Sequence, residues 1–389
     1  PVDGGDPAAG PAGAQTLHLG HRRHGVCREI LRDNRFGITD PTAMELPKPL
    51  QALIARTDPG VSNPVEPPAM VVVDPPDHTR YRQLVAQSFT PRAIGRLDSR
   101  VAEVTGELIE RLAQSPHPDL ISDFAAQLPI TIIAELLDLP ADTRPHLLEW
   151  GHSGAPLLDV GIPWRTYRSA INGLRDIDRV NRENFRRARA GVGGDTPFSR
   201  LATDGSLSDR EFSANAALLI GAGFETTVNL IGNGIVLLLQ NPDQLARLRS
   251  EPELWPTAIE EILRIDSPVQ MTARTATVDV QIAGEQISAG DMVGLFLGGA
   301  NRDPRVFGDP ARFDIGRENA REHLAFASGV HACLGAALAR IEGVTALRAL
   351  FEAFPDLDLT ETPSRRGLVN LRGYSTLPAQ LGIRRVVTA

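Results

Sequence analysis

One cysteine of the chain, Cys333, stands in surroundings that favour chemistry at its sulfur. It follows a loop containing Gly329 and precedes Gly335 and an apolar helical pattern, so we expect it at a helix N-terminus. The helix dipole and the unpaired backbone N–H groups of a first turn favour the thiolate over the thiol. The glycines allow a flat ligand to approach the backbone, and Phe326 can shield the sulfur from water. This pattern indicates a thiolate metal ligand, and the alternative is a buried cysteine that packs as a small hydrophobic residue.

The segment from Phe326 to Gly335 has the order Phe-x-x-Gly-x-His-x-Cys-x-Gly. This order resembles the haem-binding signature of the cytochrome P450 family, whose haem iron is held by a cysteine thiolate. The resemblance implies that Cys333 is the axial ligand of haem b, iron protoporphyrin IX. It also implies that Phe326, Gly329, His331 and Gly335 contact the cofactor. Ala327 departs from the pattern, because members of the family most often have glycine there.

A second group of reactive residue types lies within a long helical pattern, in the segment Ala222-Gly223-Phe224-Glu225-Thr226-Thr227. A carboxylate beside glycine in mid-helix is locally unfavourable, because glycine weakens a helix and a buried carboxylate resists desolvation. Taken alone, Thr226 can bond back to the carbonyl four residues earlier, and Glu225 can be a solvated surface residue. The segment resembles the acid–alcohol element in the central helix of the family. The resemblance implies that Glu225 and Thr226 are catalytic and deliver protons during dioxygen activation.

Four further polar residues form a set that suits an anionic group. His78 and Arg82 lie in residues 74–82, a segment that resembles the third helix of the family. Residues at i and i+4 project from one helix face, so both can grip the same anion. Taken one at a time, such residues are solvated charges on an amphipathic helix. The resemblance implies instead that His78, Arg82, Arg274 and His331 hold the two haem propionates.

Glu261 and Arg264 place opposite charges three residues apart on one helix face. A surface salt bridge is one interpretation, and it would contribute little to stability. The spacing also resembles the Glu-x-x-Arg motif of the family, which implies a buried bidentate pair completed by a downstream arginine, here Arg317. This triad is expected to hold the core behind the haem. The segment Asn301-Arg302-Asp303-Pro304 resembles the turn-rich segment that precedes the cysteine loop in the family.

The elements that must position these residues are mostly helical. Apolar residues at helical spacing predict helices over residues 75–85, 93–113, 119–138, 163–191, 208–239 and 255–265, and a last helix that begins near Cys333. Short strands are expected over residues 275–280 and around 293–296. The fold class is therefore mainly α with small β-sheets, and the resemblance implies the triangular-prism fold of cytochromes P450.

The domain organisation follows from composition along the chain. Residues 1–20 are rich in Gly, Ala and Pro and are expected to form a poorly ordered arm. Residues 38–76 contain many prolines and little periodicity, which predicts a long loop. We find no internal repeat and no clean linker, so residues 21–389 are expected to form a single domain.

Composition excludes several classes of function. The net charge is −8 with charges of both signs interspersed, so we expect no nucleic-acid partner. The two cysteines are too few for a four-thiolate zinc or iron–sulfur site, and they do not resemble a secreted disulfide framework. The cytoplasm is therefore the expected compartment. No apolar run is long enough to span a membrane, so we expect no transmembrane anchor. We also expect a monomer.

The resemblance implies a soluble bacterial-type monooxygenase that inserts one oxygen atom from dioxygen into a C–H bond of a hydrophobic small molecule. The sequence contains no flavin motif and no iron–sulfur ligand set. Electrons are therefore expected from ferredoxin and ferredoxin reductase, or from a flavodoxin-type donor. We expect such a donor to dock on the cysteine side, at Arg80, Arg92, Arg96 and Arg340.

Three alternatives remain at this level. A peroxide-driven peroxygenase has the same fold, although the acid–alcohol pair argues against it. A haem-binding sensor or carrier would bind the cofactor without turnover. A helical protein with a structural cysteine would bind no haem at all. The sequence does not distinguish fatty acid, terpenoid, steroid and polyketide substrates.

Overall fold

The computed structural model describes residues 17–38, 64–86, 89–137, 139, 143–159, 163–192, 199, 202–203 and 205–385. Helices make up most of this part of the chain. They are α1 (His24–Arg32), α2 (Asp77–Ala86), α3 (Pro91–Leu112), α4 (Gln127–Leu136), α5 (Arg144–Gly154), α6 (Trp164–Arg189), α7 (Asp209–Gln240), α8 (Pro242–Ser250), α9 (Trp255–Ile265), α10 (Leu297–Ala300) and α11 (Ala336–Ala353). The strands are β1 (Leu17–His21), β2 (Phe36–Ile38), β3 (Met271–Ala276), β4 (Val280–Ile282), β5 (Glu285–Ile287), β6 (Met292–Phe296), β7 (Asp358–Leu359) and β8 (Ala379–Gln380).

The 32-residue helix α7 runs through the centre of the core. A capping box starts it, because the Ser208 hydroxyl accepts from the Glu211 backbone while the Glu211 side chain accepts from the Ser208 backbone. Asn241 and Pro242 end it, since proline cannot continue a helix. Helices α4, α5, α6, α9 and α11 pack against α7. The helix therefore holds residues from widely separated parts of the chain in register with its own polar residues.

Within the part of the chain that the structure describes, α7 is the one helix long and apolar enough to cross a membrane. Of its 18-residue apolar window, 72% is buried inside the protein. Burial of this kind is typical of a core helix.

A four-stranded sheet lies beside the helical core, in the strand order β1-β6-β3-β2. Strand β1 runs parallel to β6, whereas the β6–β3 and β3–β2 pairs are antiparallel. Arg274 of β3 pairs with Val293 of β6 and with Ile38 of β2, so three strands fix its position. A separate hairpin joins β4 to β5 through Ala283 and Gly284, both with positive φ, as a two-residue hairpin turn requires.

The observed helices confirm most of the helices that apolar spacing predicted. The differences from the predicted helices and strands have local causes. The predicted helix over residues 119–138 is a π-helical turn, Leu120–Ala125, followed by α4. Pro129 has no backbone N–H, and it lies in the first turn of α4, where the backbone N–H groups of a helix have no partner within the helix.

The strand predicted over residues 275–280 is wrong, because β3 ends at Ala276 and β4 begins at Val280. Leu17–His21 forms β1, so a strand includes the last four residues of the arm that was predicted over residues 1–20. Residues 1–16 of that arm lie outside the described residues.

The predicted Glu261 triad is confirmed, with Glu261 and Arg264 buried and Arg317 partly buried. Arg264 donates to both carboxylate oxygens of Glu261, at 2.6 and 2.8 Å, and Arg317 Nε lies 3.1 and 3.2 Å from the same two atoms. Neither Glu261 nor Arg264 has any exposed surface. The remaining donors of Arg264 bind the carbonyls of Asn301 and Pro310, at 2.9 Å each. The triad thus ties α9 to the irregular segment that leads to the cysteine loop.

Candidate functional site

The cysteine loop is closed by its own backbone. The Cys333 N–H donates to the Phe326 carbonyl at 2.9 Å, and the Ala332 N–H donates to the Gly329 carbonyl at 3.1 Å. Helix α11 begins three positions later than Cys333, at Ala336, with Gly335 as its N-cap. The sulfur therefore lies just ahead of the first helical turn, where backbone donors point outward.

The environment of the Cys333 sulfur combines opposing effects. Burial raises the pKa of the thiol, whereas hydrogen bonds from the backbone of Gly335 and Ala336 and the charges of Arg82 and Arg340 act to lower it. The Cys333 side chain nevertheless retains exposed surface. A sulfur that is desolvated yet accessible borders a cleft inside the protein, and its surrounding donors and cations favour the thiolate that a metal requires.

The two glycines of the loop have different roles. Gly329 adopts a φ of +74°, and an added Cβ would lie 2.1 Å from the Leu31 carbonyl oxygen in α1. Glycine is therefore required here for packing against α1, which is a second reason for this residue beside the predicted approach of a flat ligand. In the direction of a Gly335 Cβ, no described atom lies within 4 Å, so close approach of a ligand is possible there. Ala327 has a φ of +55°, which explains why glycine is favoured at this position.

Phe326 belongs to a polar–aromatic network that the sequence analysis missed. The Arg340 guanidinium lies 4.7 Å from the centre of its ring, and the His323 ring centre is 5.6 Å away. Both side chains also bind the buried carboxylate of Glu260, with Arg340 at 2.6 and 3.1 Å and His323 at 3.0 Å. Although burial acts to raise it, these bonds lower the pKa of Glu260 to about 2. The network fixes Phe326 at the start of the cysteine loop.

The four polar residues predicted to bind propionates, two histidines and two arginines, converge on one place. The His78 and His331 rings lie 4.1 Å apart, and Arg82 donates to the Ala332 carbonyl at 2.8 Å. Burial, followed by the charges of His78, Arg274 and Arg82, lowers the pKa of His331 to about 3. Burial likewise lowers the pKa of Arg274, to about 10. The structure thus brings together residues from α2, β3 and the cysteine loop.

This cluster fits an anionic group. His78 Nε2 and His331 Nε2 are buried without a hydrogen-bond partner among the described residues. The nearest acid, Asp74, places its carboxylate 3.6 Å from His331 Nε2. Buried polar atoms are normally paired, and crowded cations are stabilised by an anion. Haem would supply two such carboxylates, its propionates, next to the accessible Cys333 sulfur. The histidine and arginine donors of this cluster therefore fit that cofactor.

The acid–alcohol pair of α7 adjoins open space. Ala222 and Gly223 are exposed although they lie in the middle of a core helix, and Thr226 is partly exposed. The Thr226 hydroxyl donates to the Ala222 carbonyl at 2.7 Å, the bond to the carbonyl four residues earlier that the sequence allows. Because its proton is used in this bond, the hydroxyl oxygen can still accept a hydrogen bond.

Glu225 is not a solvated surface residue. It is 1% exposed and forms an ion pair with Arg366, which also donates from Nε to the Tyr374 carbonyl at 3.2 Å. Burial raises the pKa of Glu225, and Arg366 opposes that effect. Its second oxygen, Oε2, and both side-chain atoms of Asn229 have no well-formed hydrogen bond among the described residues, although a weak interaction with the Asn229 side chain also acts to lower the pKa of Glu225. These orphan atoms lie one helical turn apart on α7 and suit bridging water molecules.

The comparisons with known proteins agree with this geometry. The family model described as Cytochrome P450 matches residues 199–365. A putative cytochrome P450 140 of Mycobacterium tuberculosis is 46% identical over 379 residues, which cover 96% of this chain and 86% of the relative. The 6-deoxyerythronolide B hydroxylase of Saccharopolyspora erythraea is 40% identical over 316 residues, covering 79% of this chain and 76% of the relative. The chain belongs to the cytochrome P450 family.

Solved structures support the same assignment. P450BioI, in complex with an acyl carrier protein ligated to hexadec-9Z-enoic acid, superposes with a TM-score of 0.84 at 34% identity, covering 92% of this chain and 91% of that one. The fold is therefore that of cytochromes P450, as the sequence implied. This cytochrome P450 is an oxidoreductase with haem b as its cofactor, and the bound haem iron supplies the site of dioxygen activation.

Two of the arginines expected to meet a redox partner form ion pairs within this cytochrome P450. Arg80 pairs with Glu211, and Arg340 pairs with Glu260. The side chains of Arg80 and Arg340 nevertheless remain 41% and 36% exposed, so their docking role stays a prediction. Arg92 and Arg96 lie on α3, but their side chains lie outside the described residues.

Proposed function

We propose that this cytochrome P450 hydroxylates a C–H bond of a hydrophobic small molecule, with electrons from separate donor proteins. The observation that carries the proposal is the Glu225–Thr226 pair on α7, beside the exposed backbone of Ala222 and Gly223. A peroxide-driven enzyme, or a carrier without turnover, has no need of a proton-delivering pair. Residues 21–389 are proposed to act as one domain, in the cytoplasm.

The roles of the site residues follow from their positions. Cys333 is proposed to ligate the haem iron as a thiolate, and His78, Arg82, Arg274 and His331 to bind its propionates. Phe326 and Gly335 are proposed to border the cofactor. Gly329 is also proposed to contact the cofactor through its backbone, while it packs against α1.

Proton delivery is assigned to Thr226 and Glu225. The Thr226 oxygen can accept a bond from a water molecule in the cleft, because its own proton is donated to Ala222. Glu225 can relay a proton through Oε2, which no well-formed hydrogen bond holds, whereas Arg366 fixes Oε1. Because burial raises the pKa of Glu225, its carboxyl exchanges protons at a higher pH than a solvated one.

The substrate class is proposed from the relatives. One relative is named as a hydroxylase of 6-deoxyerythronolide B, and a structural neighbour was solved with hexadec-9Z-enoic acid on an acyl carrier protein. We propose that this enzyme likewise accepts a polyketide or a fatty acyl chain. The proposed electron donors are ferredoxin and ferredoxin reductase, or a flavodoxin-type protein.

The test is turnover by the purified holoenzyme with a surrogate ferredoxin, its reductase and NADPH, on a panel of fatty acids, acyl carrier conjugates and macrolactones. We expect a hydroxylated product that requires dioxygen and the reductase. Product formed with hydrogen peroxide alone would identify a peroxygenase. Spectral binding of haem without product on any member of the panel would support the carrier.

A further inference from the structure

A second cavity, of about 400 Å³, lies at the C-terminal end of α7. Helix α8, the end of α9 and the segment after residue 364 close it, and it contains none of the residues assigned to the haem site. Its charged lining residues are Arg302, Arg312, Arg365, Arg372, Asp243 and Asp266. Four arginines face two aspartates, so the lining carries a formal excess of two positive charges.

Internal ion pairs account for only part of this charge. The buried carboxylate of Asp266 is shared by Arg365, at 2.5 Å, and Arg372, at 2.6 Å. Asp243 accepts from the side chain of Gln244 at 3.0 Å, and the charge of Arg312 acts on its carboxylate. Arg365 and Arg372 thus have a structural role, because they neutralise Asp266. The positive charges of Arg302 and Arg312 are not accounted for by that ion pair.

Arg302 is an exposed residue with charges of both signs around it. Its Nη2 donates to the Ile265 carbonyl at 2.8 Å, which anchors the guanidinium at the cavity wall. Partial burial and the nearby charges of Arg264 and Arg372 lower its pKa, although the carboxylates of Asp266 and Glu261 oppose that effect. Like charges held together at a partly desolvated wall are stabilised when an anion binds between them. Arg302 belongs to the Asn-Arg-Asp-Pro segment of the sequence, whose arginine has no part in the haem site.

We propose that this cavity binds a small molecule with a charge near −2, carried by one phosphate group or by two carboxylate groups. Guanidinium groups bind such oxyanions through paired N–H donors, and the charge excess of the lining matches a dianion. Leu237, Ile265 and Phe313 supply apolar wall for a short organic part of the ligand. The volume lies within the range of small-ligand sites, and it is far larger than an inorganic ion needs.

Isothermal titration of the holoenzyme with inorganic phosphate and with succinate tests the proposal, at constant ionic strength maintained with sodium chloride. We expect saturable binding with one site per chain. Tighter binding of phosphate assigns a phosphate-bearing ligand, and tighter binding of succinate assigns a carboxylate-bearing one. No saturable binding of either anion would overturn the proposal.

Two variants and one control locate the site. Arg312→Gln, at an exposed side chain, and Arg302→Gln are each expected to weaken binding by about tenfold or more, since a charge-assisted hydrogen bond contributes roughly 1.5–3 kcal/mol. Arg348→Gln, at an exposed arginine of α11 paired with Glu352, is expected to leave the affinity unchanged. Unchanged affinity in the Arg312→Gln variant would also overturn the proposal, and that variant stays informative even if Arg302→Gln fails to fold.

Discussion

The Glu225 carboxylate on α7 is ion-paired with the guanidinium of Arg366, at the helical turn that also presents the Thr226 hydroxyl. The two charges lie 141 residues apart in the chain, and Glu225 is buried. The C-terminal segment therefore sets the electrostatic environment of the acid that we assign to proton delivery. Removing either charge leaves the other one desolvated.

Arg366→Gln should destabilise the fold, and more strongly at high pH. Without Arg366, burial raises the pKa of Glu225 further. A carboxyl whose pKa is raised on folding loses stability as the pH rises from its unfolded pKa through its folded pKa. We expect a loss of about 3 kcal/mol near pH 8 and a smaller loss near pH 5, measured by urea unfolding.

The double variant Glu225→Gln/Arg366→Gln serves as the matched control, because it removes the buried charge as well. It should recover part of the loss near pH 8 and show a weaker dependence on pH. An equal loss for Arg366→Gln at both pH values would show that Glu225 is not its energetic partner.

Thr226→Ala should uncouple electron consumption from product formation. The variant lacks the oxygen that we assign to proton delivery, and positioned proton transfer typically contributes about 10²–10⁴-fold to a rate. We expect a fall in product per NADPH and a rise in hydrogen peroxide release, both measured in the reconstituted system. Thr226→Ser keeps the hydroxyl and should retain most of the coupling. Coupling unchanged in Thr226→Ala would remove Thr226 from the mechanism.

Glu261→Gln should destabilise the protein strongly. The substitution leaves Arg264, which has no exposed surface, and Arg317 without their shared carboxylate. Breaking a buried pair in this way costs about 3–5 kcal/mol. Thermal unfolding and the yield of haem-containing protein measure the effect. Glu352→Gln, which breaks the exposed pair with Arg348, should cost at most about 1 kcal/mol, and equal effects of the two substitutions would contradict a structural triad.

Glu342 should make stability depend on pH. It is buried on α11, and burial raises its pKa to about 8, with a hydrogen bond to Thr227 opposing the effect. Because the pKa is raised on folding, stability should fall as the pH rises from about 4.5 to about 8. One pKa unit corresponds to about 1.4 kcal/mol, so the loss between pH 5 and pH 9 should be roughly 3–5 kcal/mol.

Glu342→Gln removes that titration and should flatten the curve of unfolding free energy against pH. The difference between variant and parent isolates Glu342 from other buried acids, including Glu225. A variant whose curve runs parallel to that of the parent would show that Glu342 does not titrate in this range.

Local sequence patterns predicted the features whose partners lie close together in the chain. Helices α7 and α9 were found because caps and apolar spacing act within a few residues of each other. Glu261 and Arg264 were paired because three residues on a helix bring side chains to one face. The cysteine loop was found because its residues are contiguous.

Features that depend on packing between distant segments could not be found in this way. Glu260 meets His323 and Arg340 from 63 and 80 residues away, and no periodicity relates such positions. The Leu31 carbonyl, which makes Gly329 necessary, belongs to α1 at the other end of the chain. The pairing of Arg340 with Glu260 likewise depends on the packing of α11 against α9.

The central claim, that Cys333 ligates haem as a thiolate, is tested most directly by the absorption spectrum of the reduced carbon monoxide complex. The parent protein, expressed with a haem precursor, should be red and show the red-shifted Soret band of thiolate ligation. Cys333→Ser should lose that band, while Cys27→Ser, at a buried cysteine with a pKa raised by burial to about 12, should keep it. A colourless parent protein, or a Cys333→Ser variant that retains the band, would contradict the assignment.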